Sequence, residues 1–312
     1  MTLNLIVSRR QLQGQIAVLE LADPAGSPLP AFSAGAHVDL HLPGGVIRQY
    51  SLCGDPRSRA SYRLGVLRDP ASRGGSLAVH EALHEGARLT VSAPRNHFPL
   101  VDEASYSVLV GGGIGITPML AMAWQLHAAG RPFELRYCAR SREHAAFLDE
   151  LAGAPWASHV HLHLAQRMDP IATLKAAPVG SHLYVCGPAG FMDWMLDAAR
   201  SAGLGDKQLH KEHFAAPTCD TSADTAFEVI AQRSGKTVTV AANQTLLAAL
   251  KTIGIKVPVS CEEGVCGTCC CTVLDGTPEH RDAYLTDEER EANDQIMVCC
   301  SRARSPRLVL DL

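Results

Sequence analysis

The sequence predicts a multidomain chain: a small β-barrel, then a doubly wound α/β layer, then an α+β module built around clustered thiols. Three observations predict it. Short period-two stretches punctuated by glycine and proline fill the first third. Strand, glycine turn and helix alternate through the middle. Toward the C-terminus, four cysteines fall at a spacing suited to wrapping one inorganic core. A length of 312 residues allows two or three domains of about 100–150 residues each. The expected divisions are 1–102, 103–214, a linker at 215–225, and 226–312.

Composition narrows the function classes. Apolar residues make up 46% and charged residues 19%, the balance of a globular chain. A net charge of −4 gives no electrostatic reason for a nucleic-acid partner. No apolar run reaches the roughly 18 residues of a membrane span. The N-terminal stretch lacks a basic region followed by an apolar core. Eleven cysteines in such a chain point to a reducing, cytoplasmic setting, where thiols serve metal or redox work.

In the first module, 37–42, 62–67 and 88–92 alternate with period two, and Gly/Pro clusters such as 43–45 separate them. Two features carry chemistry. Arg48, Tyr50 and Ser51 put a cation, an aromatic ring and a hydroxyl on one strand; an exposed strand is the plain alternative. Gly74-Gly75-Ser76 opens a short helix over 77–83. Free N–H groups and the positive dipole end at such a start suit an anion, though they also suit an ordinary cap.

In the second module, the apolar strand 106–110 runs into Gly111-Gly-Gly113-Ile-Gly115-Ile-Thr117-Pro118, and a helix follows over 119–127. That order is the context for pyrophosphate binding, although Ile116 stands where the third glycine of the dinucleotide fingerprint would fall. Strands at 133–138, 160–164 and 182–186 alternate with helices at 144–151 and 189–202. Alternation argues a parallel sheet with ligands at the carboxyl ends of its strands. Both glycine turns, at Gly113 and Gly115 and at Gly187-Pro188, fall there. His159, His161 and His163 share a strand face that suits either a metal or water. Arg140 and Arg142 suit either a ribose 2′-phosphate or a solvated loop.

In the third module, strands at 227–231 and 237–240 flank a turn, and an amphipathic helix spans 244–253. Then come Cys261, Cys266 and Cys269, with four and then two residues between them, and Cys299 after twenty-nine more. That spacing is the plant-type signature for a [2Fe–2S] cluster. Zinc sites instead pair Cys-x2-Cys units or mix in histidine. Cys270, Cys271 and Cys300 read as small buried apolar groups. A strand at 271–274, a capping box at 286–289 and strands near 296–299 and 307–311 complete the module. Between Asp275 and Asp294 stand eight acidic and two basic residues, a solvated face or a docking patch for a basic protein.

Taken together, Arg48-x-Tyr50-Ser51, Gly74-Gly75-Ser76, Gly113-Ile-Gly115-Ile-Thr117-Pro118, Cys186-Gly187-Pro188 and the cysteine loop resemble the phthalate dioxygenase reductase family over essentially the whole chain. The resemblance implies an FMN-binding barrel, an NAD(P)H-binding α/β domain and a β-grasp ferredoxin domain. It implies Arg48 and Ser76 at the FMN phosphate, Tyr50 along the flavin and Ser51 near its N5 edge. It places Thr117 and Cys186 by the nicotinamide, and Phe214, from Glu212-His213-Phe214, over the flavin. NADH is then the expected donor. The expected path runs from NADH to FMN to [2Fe–2S] to the Rieske-type terminal oxygenase of an aromatic ring-hydroxylating or O-demethylating system. The rival readings are a free flavin reductase, an FAD-containing reductase of a diiron monooxygenase, and a non-enzymatic metal-binding module.

Overall fold

The structure, a computed structural model, describes residues 1–70, 74–214 and 219–312. The chain forms two compact units, Met1–Glu212 and His213–Leu312.

The first unit begins with β1 (Thr2–Gln13), β2 (Ile16–Ala22), β3 (Ala36–His41), β4 (Ile47–Ser51), β5 (Tyr62–Leu67), α1 (Gly75–Ala82), β6 (Arg88–Ser92) and β7 (Arg95–Asn96). Their sheet runs β4-β3-β6-β1-β2-β5, with β7 beside β3. An antiparallel bridge between Leu52 and Leu64 joins the two ends of that order, so the sheet closes as the expected barrel. Alternation drives the closure. Leu5, Val7, Leu19, Leu21, Val38, Leu40, Leu64 and Val91 point inward and are almost wholly buried. Helix α1 contributes Val79 to the same core. A closed sheet leaves no unpaired edge.

The same unit continues with β8 (Tyr106–Gly112), α2 (Ile116–Ala128), β9 (Phe133–Ala139), α3 (Leu148–Gly153), β10 (Val160–Leu164), α4 (Pro170–Ala176), β11 (Ser181–Cys186), α5 (Ala189–Ser201) and β12 (Leu209–Glu212). These strands are all parallel, in the order β10-β9-β8-β11-β12. The middle strand is Val108, Leu109 and Val110, each fully buried, because helices cover both faces.

One helix differs from expectation. The sequence suggests helix from residue 144, but α3 starts at Leu148. Phe147 adopts φ 64, left-handed backbone that an aromatic residue rarely takes. Its N–H donates to Gln13 Oε1 at 2.6 Å, and its ring lies where a Cβ on Gly65 would meet it at 2.9 Å. Burying that ring against β5 and under the Arg63 guanidinium outweighs continuing the helix.

The second unit comprises β13 (Phe227–Ala231), β14 (Lys236–Val240), α6 (Leu246–Thr252), β15 (Cys270–Asp275), β16 (Pro278–Glu279), α7 (Asp287–Ala292), β17 (Gln295–Met297), β18 (Arg302–Ala303) and β19 (Arg307–Leu310). Its main sheet runs β14-β13-β19-β15-β17, and β16 pairs with β18. Leu246, Leu247 and Leu250 of α6 bury against Val229, Ile296 and Leu308. Thr245 caps α6 by accepting from Ala248 N, and Thr286 with Glu289 forms the expected capping box at α7.

The expected linker falls in part, at 215–218, outside the described residues. Its far end is tied down. Asp224 accepts from both arms of Arg281 at 2.5 and 3.0 Å and lies 3.4 Å from Arg302 Nε, with all three side chains at most 10% exposed. Arg302 also donates to the carbonyls of Thr225, Ala241 and Gln244. Asp224 is thus anchored to the second unit. Among the described residues no helix is long and apolar enough to cross a membrane.

Candidate redox site

The first assembly lies on the carboxyl edge of the parallel sheet. In register across it, Glu212 of β12 pairs with Cys186 of β11, Cys186 with Gly111 of β8, and Gly112 with Cys138 of β9. Close packing there requires glycine. A Cβ on Gly115 would collide with the Cys186 carbonyl, and one on Gly112 would stand 2.8 Å from the Phe191 ring. Gly113 has φ +57, which only glycine takes without strain. Pro188 precedes α5 as its N-cap, and Gly187 sits against Gly112. The two glycine turns thus present bare backbone at two helix starts, the fit a pyrophosphate needs. Thr117 is buried, donates to the Ile114 carbonyl at 3.0 Å, and its methyl would touch a Cβ on Gly65.

Ser51, at the end of β4, reaches this edge from the barrel. Its hydroxyl donates to Glu212 Oε2 at 3.1 Å. Glu212 as a residue is only partly buried, but protein crowds its carboxyl. Burial pushes its pKa up to about 8, against a smaller downward pull from Ser51. A carboxyl held there is mostly protonated at neutral pH. Burial also pushes the Cys186 thiol well above its usual range, and ionising Glu212 would push it further. Both groups are neutral, the arrangement that suits an uncharged ring system beside them. The sequence offered Glu212 only as part of a family segment. Its one local signal is an acid ending a strand that begins on an apolar residue.

Arg48 and the start of α1 meet on the barrel. A Cβ on Gly75 would lie 2.5 Å from Arg48 Cγ and 2.8 Å from its Nε. The cationic side chain thus crosses the positive end of the helix, and Gly74 turns the entry at φ 89. Ser76 Oγ accepts from Asp69 N at 3.1 Å. Guanidinium, helix start and hydroxyl together make a fit for a phosphate. Tyr50 is half-buried against the barrel core. Phe214 is exposed and follows the first unit's last residue by two.

The histidine strand does not assemble. His159 precedes β10 and stacks on Phe133 at 5.1 Å. His161 lies 3.7 Å from Glu134, and His163 lies 3.5 Å from an Arg136 nitrogen. The cation among them disfavours a metal.

The second assembly is the thiol nest. Cys261, Cys266, Cys269 and Cys299 are at most 5% exposed. Cys261 Sγ donates to Cys266 Sγ at 3.1 Å, and Cys299, with burial, pushes the Cys269 thiol well above its usual range. The bond from Cys261 holds the Cys266 thiol below its usual range against burial. Backbone N–H groups of Glu263 and Thr268 point at Cys261 and Cys266. Among the described residues no group of three or more His, Cys, Asp or Glu is placed to hold a single metal ion. The thiols gather two and two instead, a donor set that fits a binuclear iron core. Gly264 and Gly267 have φ of 71 and 72. A Cβ on the first would lie 2.5 Å from Cys300 Sγ, and on the second inside the Tyr284 ring. Asp282, wholly buried, accepts from Leu285 N at 2.9 Å and Tyr284 N at 3.1 Å and so frames the loop. Cys270 instead faces Gln295 Oε1 at 3.3 Å.

With this geometry in view, comparison with known proteins is direct. Residues 229–304 match the 2Fe-2S iron-sulfur cluster binding domain. Phthalate dioxygenase reductase of Burkholderia cepacia is 41% identical, covering 98% of this chain and 96% of its own. The chain belongs to the phthalate dioxygenase reductase family. A solved structure of phthalate dioxygenase reductase, described as modular for electron transfer from pyridine nucleotides to [2Fe-2S], superposes with a TM-score of 0.79 at 40% identity, covering 100% and 98% of the two chains. Within the same family of oxidoreductases, vanillate O-demethylase oxidoreductase of Pseudomonas sp. (strain HR199 / DSM 7063) is 50% identical over 99% of this chain and 100% of its own. Barrel, nucleotide-binding layer and ferredoxin module follow one another here in the family's order.

Proposed function

We propose that the chain is the NADH-dependent reductase component of a two-protein oxygenase system. Electrons pass from NADH through FMN to a [2Fe–2S] cluster, and then to a Rieske-type terminal oxygenase. A vanillate-like O-demethylase or a related aromatic ring-hydroxylating enzyme is the partner the resemblance to characterised reductases favours, and the cytoplasm is its setting. The functional modules are 1–102 for FMN, 103–214 for NADH and 226–312 for the cluster.

The observation that carries this reading is the meeting of Ser51, Glu212 and Cys186 at one edge, beside two glycine turns. A bound flavin supplies the conversion of a hydride pair into single electrons. The chain supplies placement. Arg48, Gly74, Gly75 and Ser76 hold the phosphate of FMN. Gly113, Gly115, Gly187 and Pro188 admit the pyrophosphate of the coenzyme. Thr117 and Cys186 bound the nicotinamide with uncharged surface, so a cationic product ring gains nothing by staying. Ser51 sits within hydrogen-bond reach of the reacting edge, and protonated Glu212 fixes which way that hydroxyl points. Tyr50 lies along the ring system. Cys261, Cys266, Cys269 and Cys299 ligate the iron.

Anaerobic titration with NADH, followed by visible absorbance and EPR, tests the scheme. About three electrons per chain are expected, two on the flavin and one on the cluster. A chain whose flavin band does not bleach with NADH refutes it.

A further inference from the structure

The direction of the coenzyme can be read across the sheet. Ser51, Glu212 and Cys186 mark its reacting end at β11 and β12, and the glycine turn of β8 comes next. Continuing the same way along the carboxyl edge leads over β9 and then β10. Neighbouring strands lie about 4.8 Å apart, so the adenosine half of a dinucleotide crossing at β8 falls over the ends of those two strands.

What stands there is basic. β9 ends at Ala139 and is followed by Arg140, Ser141 and Arg142. β10 ends at Leu164, in register with Ala139, and Ala165 takes φ 58 so that its N–H reaches the Ala139 carbonyl at 3.1 Å. That turn brings Arg167 to the same edge. Arg140, Arg142 and Arg167 are exposed, and among the described residues none has a carboxylate within ion-pair distance. The acid that receives the ribose 2′-hydroxyl in NAD-selective sheets follows this second strand; here Arg140, Ser141 and Arg142 come first, and the nearest acid is Glu143 beyond them.

The loop that carries the arginines is fixed in place. Ser141 Oγ and His144 Nδ1 are 2.8 Å apart. A Cβ on Gly14, at the β1–β2 turn, would lie 2.6 Å from the Glu143 carbonyl, and Gln13 holds Phe147 N at 2.6 Å. Both contacts press the loop onto the barrel, so its cations are held at the edge.

We propose that Arg140 and Arg142 form a subsite for the 2′-phosphate of NADPH, so that the chain accepts both coenzymes. The proposal rests on the placement of the dinucleotide given above. The hydride still leaves C4 of the nicotinamide, and the added phosphate changes binding alone. Two guanidiniums on one phosphate make charge-assisted bonds, which salt weakens.

The test measures kcat/KM for NADH and NADPH with ferricyanide, and the dissociation constants of NAD+ and NADP+ from the flavin spectrum. The purified holoenzyme and an Arg140→Gln/Arg142→Gln variant are compared. NADPH should serve the wild type, and the variant should lower the NADPH-to-NADH ratio of kcat/KM by about 10–100-fold through KM, with a matching loss for NADP+. A ratio that moves less than about threefold, or a wild type indifferent to NADPH, overturns the subsite. If NADH itself leaves the flavin oxidised, the placement of the dinucleotide fails and the subsite with it; if NADH reduces the flavin and NADPH does not, only the subsite fails.

Discussion

Replacing Glu212 with Gln tests whether a proton resides on that carboxyl. In the folded chain its pKa stands at about 8 against an ordinary 4.5. The sign follows from linkage. Between those values the unfolded chain has lost the proton and the folded chain keeps it, so stability falls as pH rises through the window. A full proton contributes about 1.4 kcal/mol per pH unit, giving a ceiling of about 4–5 kcal/mol across the shift. Water at a residue that is partly open reduces this, and about 2 kcal/mol is the expected effect. Gln keeps the shape and a hydrogen bond to Ser51 but does not titrate. The melting temperature of the first unit should therefore drop from pH 5 to pH 8.5 in the wild type by about 4–8 °C more than in Glu212→Gln. Calorimetry of both proteins across that range is the assay. Parallel curves would mean that the carboxyl is already ionised near pH 5, and the neutral reacting edge would have to be abandoned.

Further outcomes follow from other contacts. Arg48→Ala should weaken FMN retention by about 10–100-fold, the cost of one charge-assisted phosphate contact, measured by flavin release on dilution; unchanged retention contradicts the role of the cation across α1. Asp224→Ala takes a carboxylate from two nearly buried guanidiniums, leaving Arg281 with Glu279 and Arg302 with its carbonyls, and should destabilise the second unit by about 1–3 kcal/mol in denaturant titration. Arg281's hydrogen bonds hold the Asp224 carboxyl below its usual range, so its stabilisation is present above the ordinary carboxylate pKa and fades as pH falls through the lowered one. Neutralising Glu288 and Glu291, exposed on α7, together with Glu289, half-buried in its capping box, should slow reduction of the natural oxygenase while leaving ferricyanide reduction alone; equal rates with both acceptors retire the docking role. Cys266→Ser should lower iron per chain from two toward zero and erase the cluster's EPR signal.

Much of this site lay open in the sequence because its chemistry depends on local spacing. Cys261, Cys266 and Cys269 must curve within one loop, so Gly264 and Gly267 accompany them. Gly113 and Gly115 follow their strand directly because the turn needs a positive φ at the first and leaves no room for a Cβ beside Cys186 at the second. Other features come from distant packing and leave no nearby trace. Phe147 breaks a helix because Gly65, over eighty residues away, leaves space for its ring. Glu212 holds its proton because burial beside the barrel outweighs the opposite pull of the Ser51 hydrogen bond. Asp224 looked like tether until Arg281 and Arg302 closed on it. The choice of Cys299 over Cys300 rested on flanking residues; in the structure Cys299 is buried and Cys300 half-buried.

The separation of the fourth thiol has a consequence for how this protein matures and wears out. Three sulfurs travel on one loop, but Cys299 is delivered by the turn after β17, whose pairing with β15 sets Met297 beside Cys270. Until that ladder zips, the newly made chain offers an incomplete cage. With the proposed ligand set, iron delivery is expected to follow folding of the C-terminal segment, and the inserted core then ties together residues thirty positions apart. Stripping it with a chelator should loosen this segment first, making loss of colour an early symptom of ageing in the purified protein.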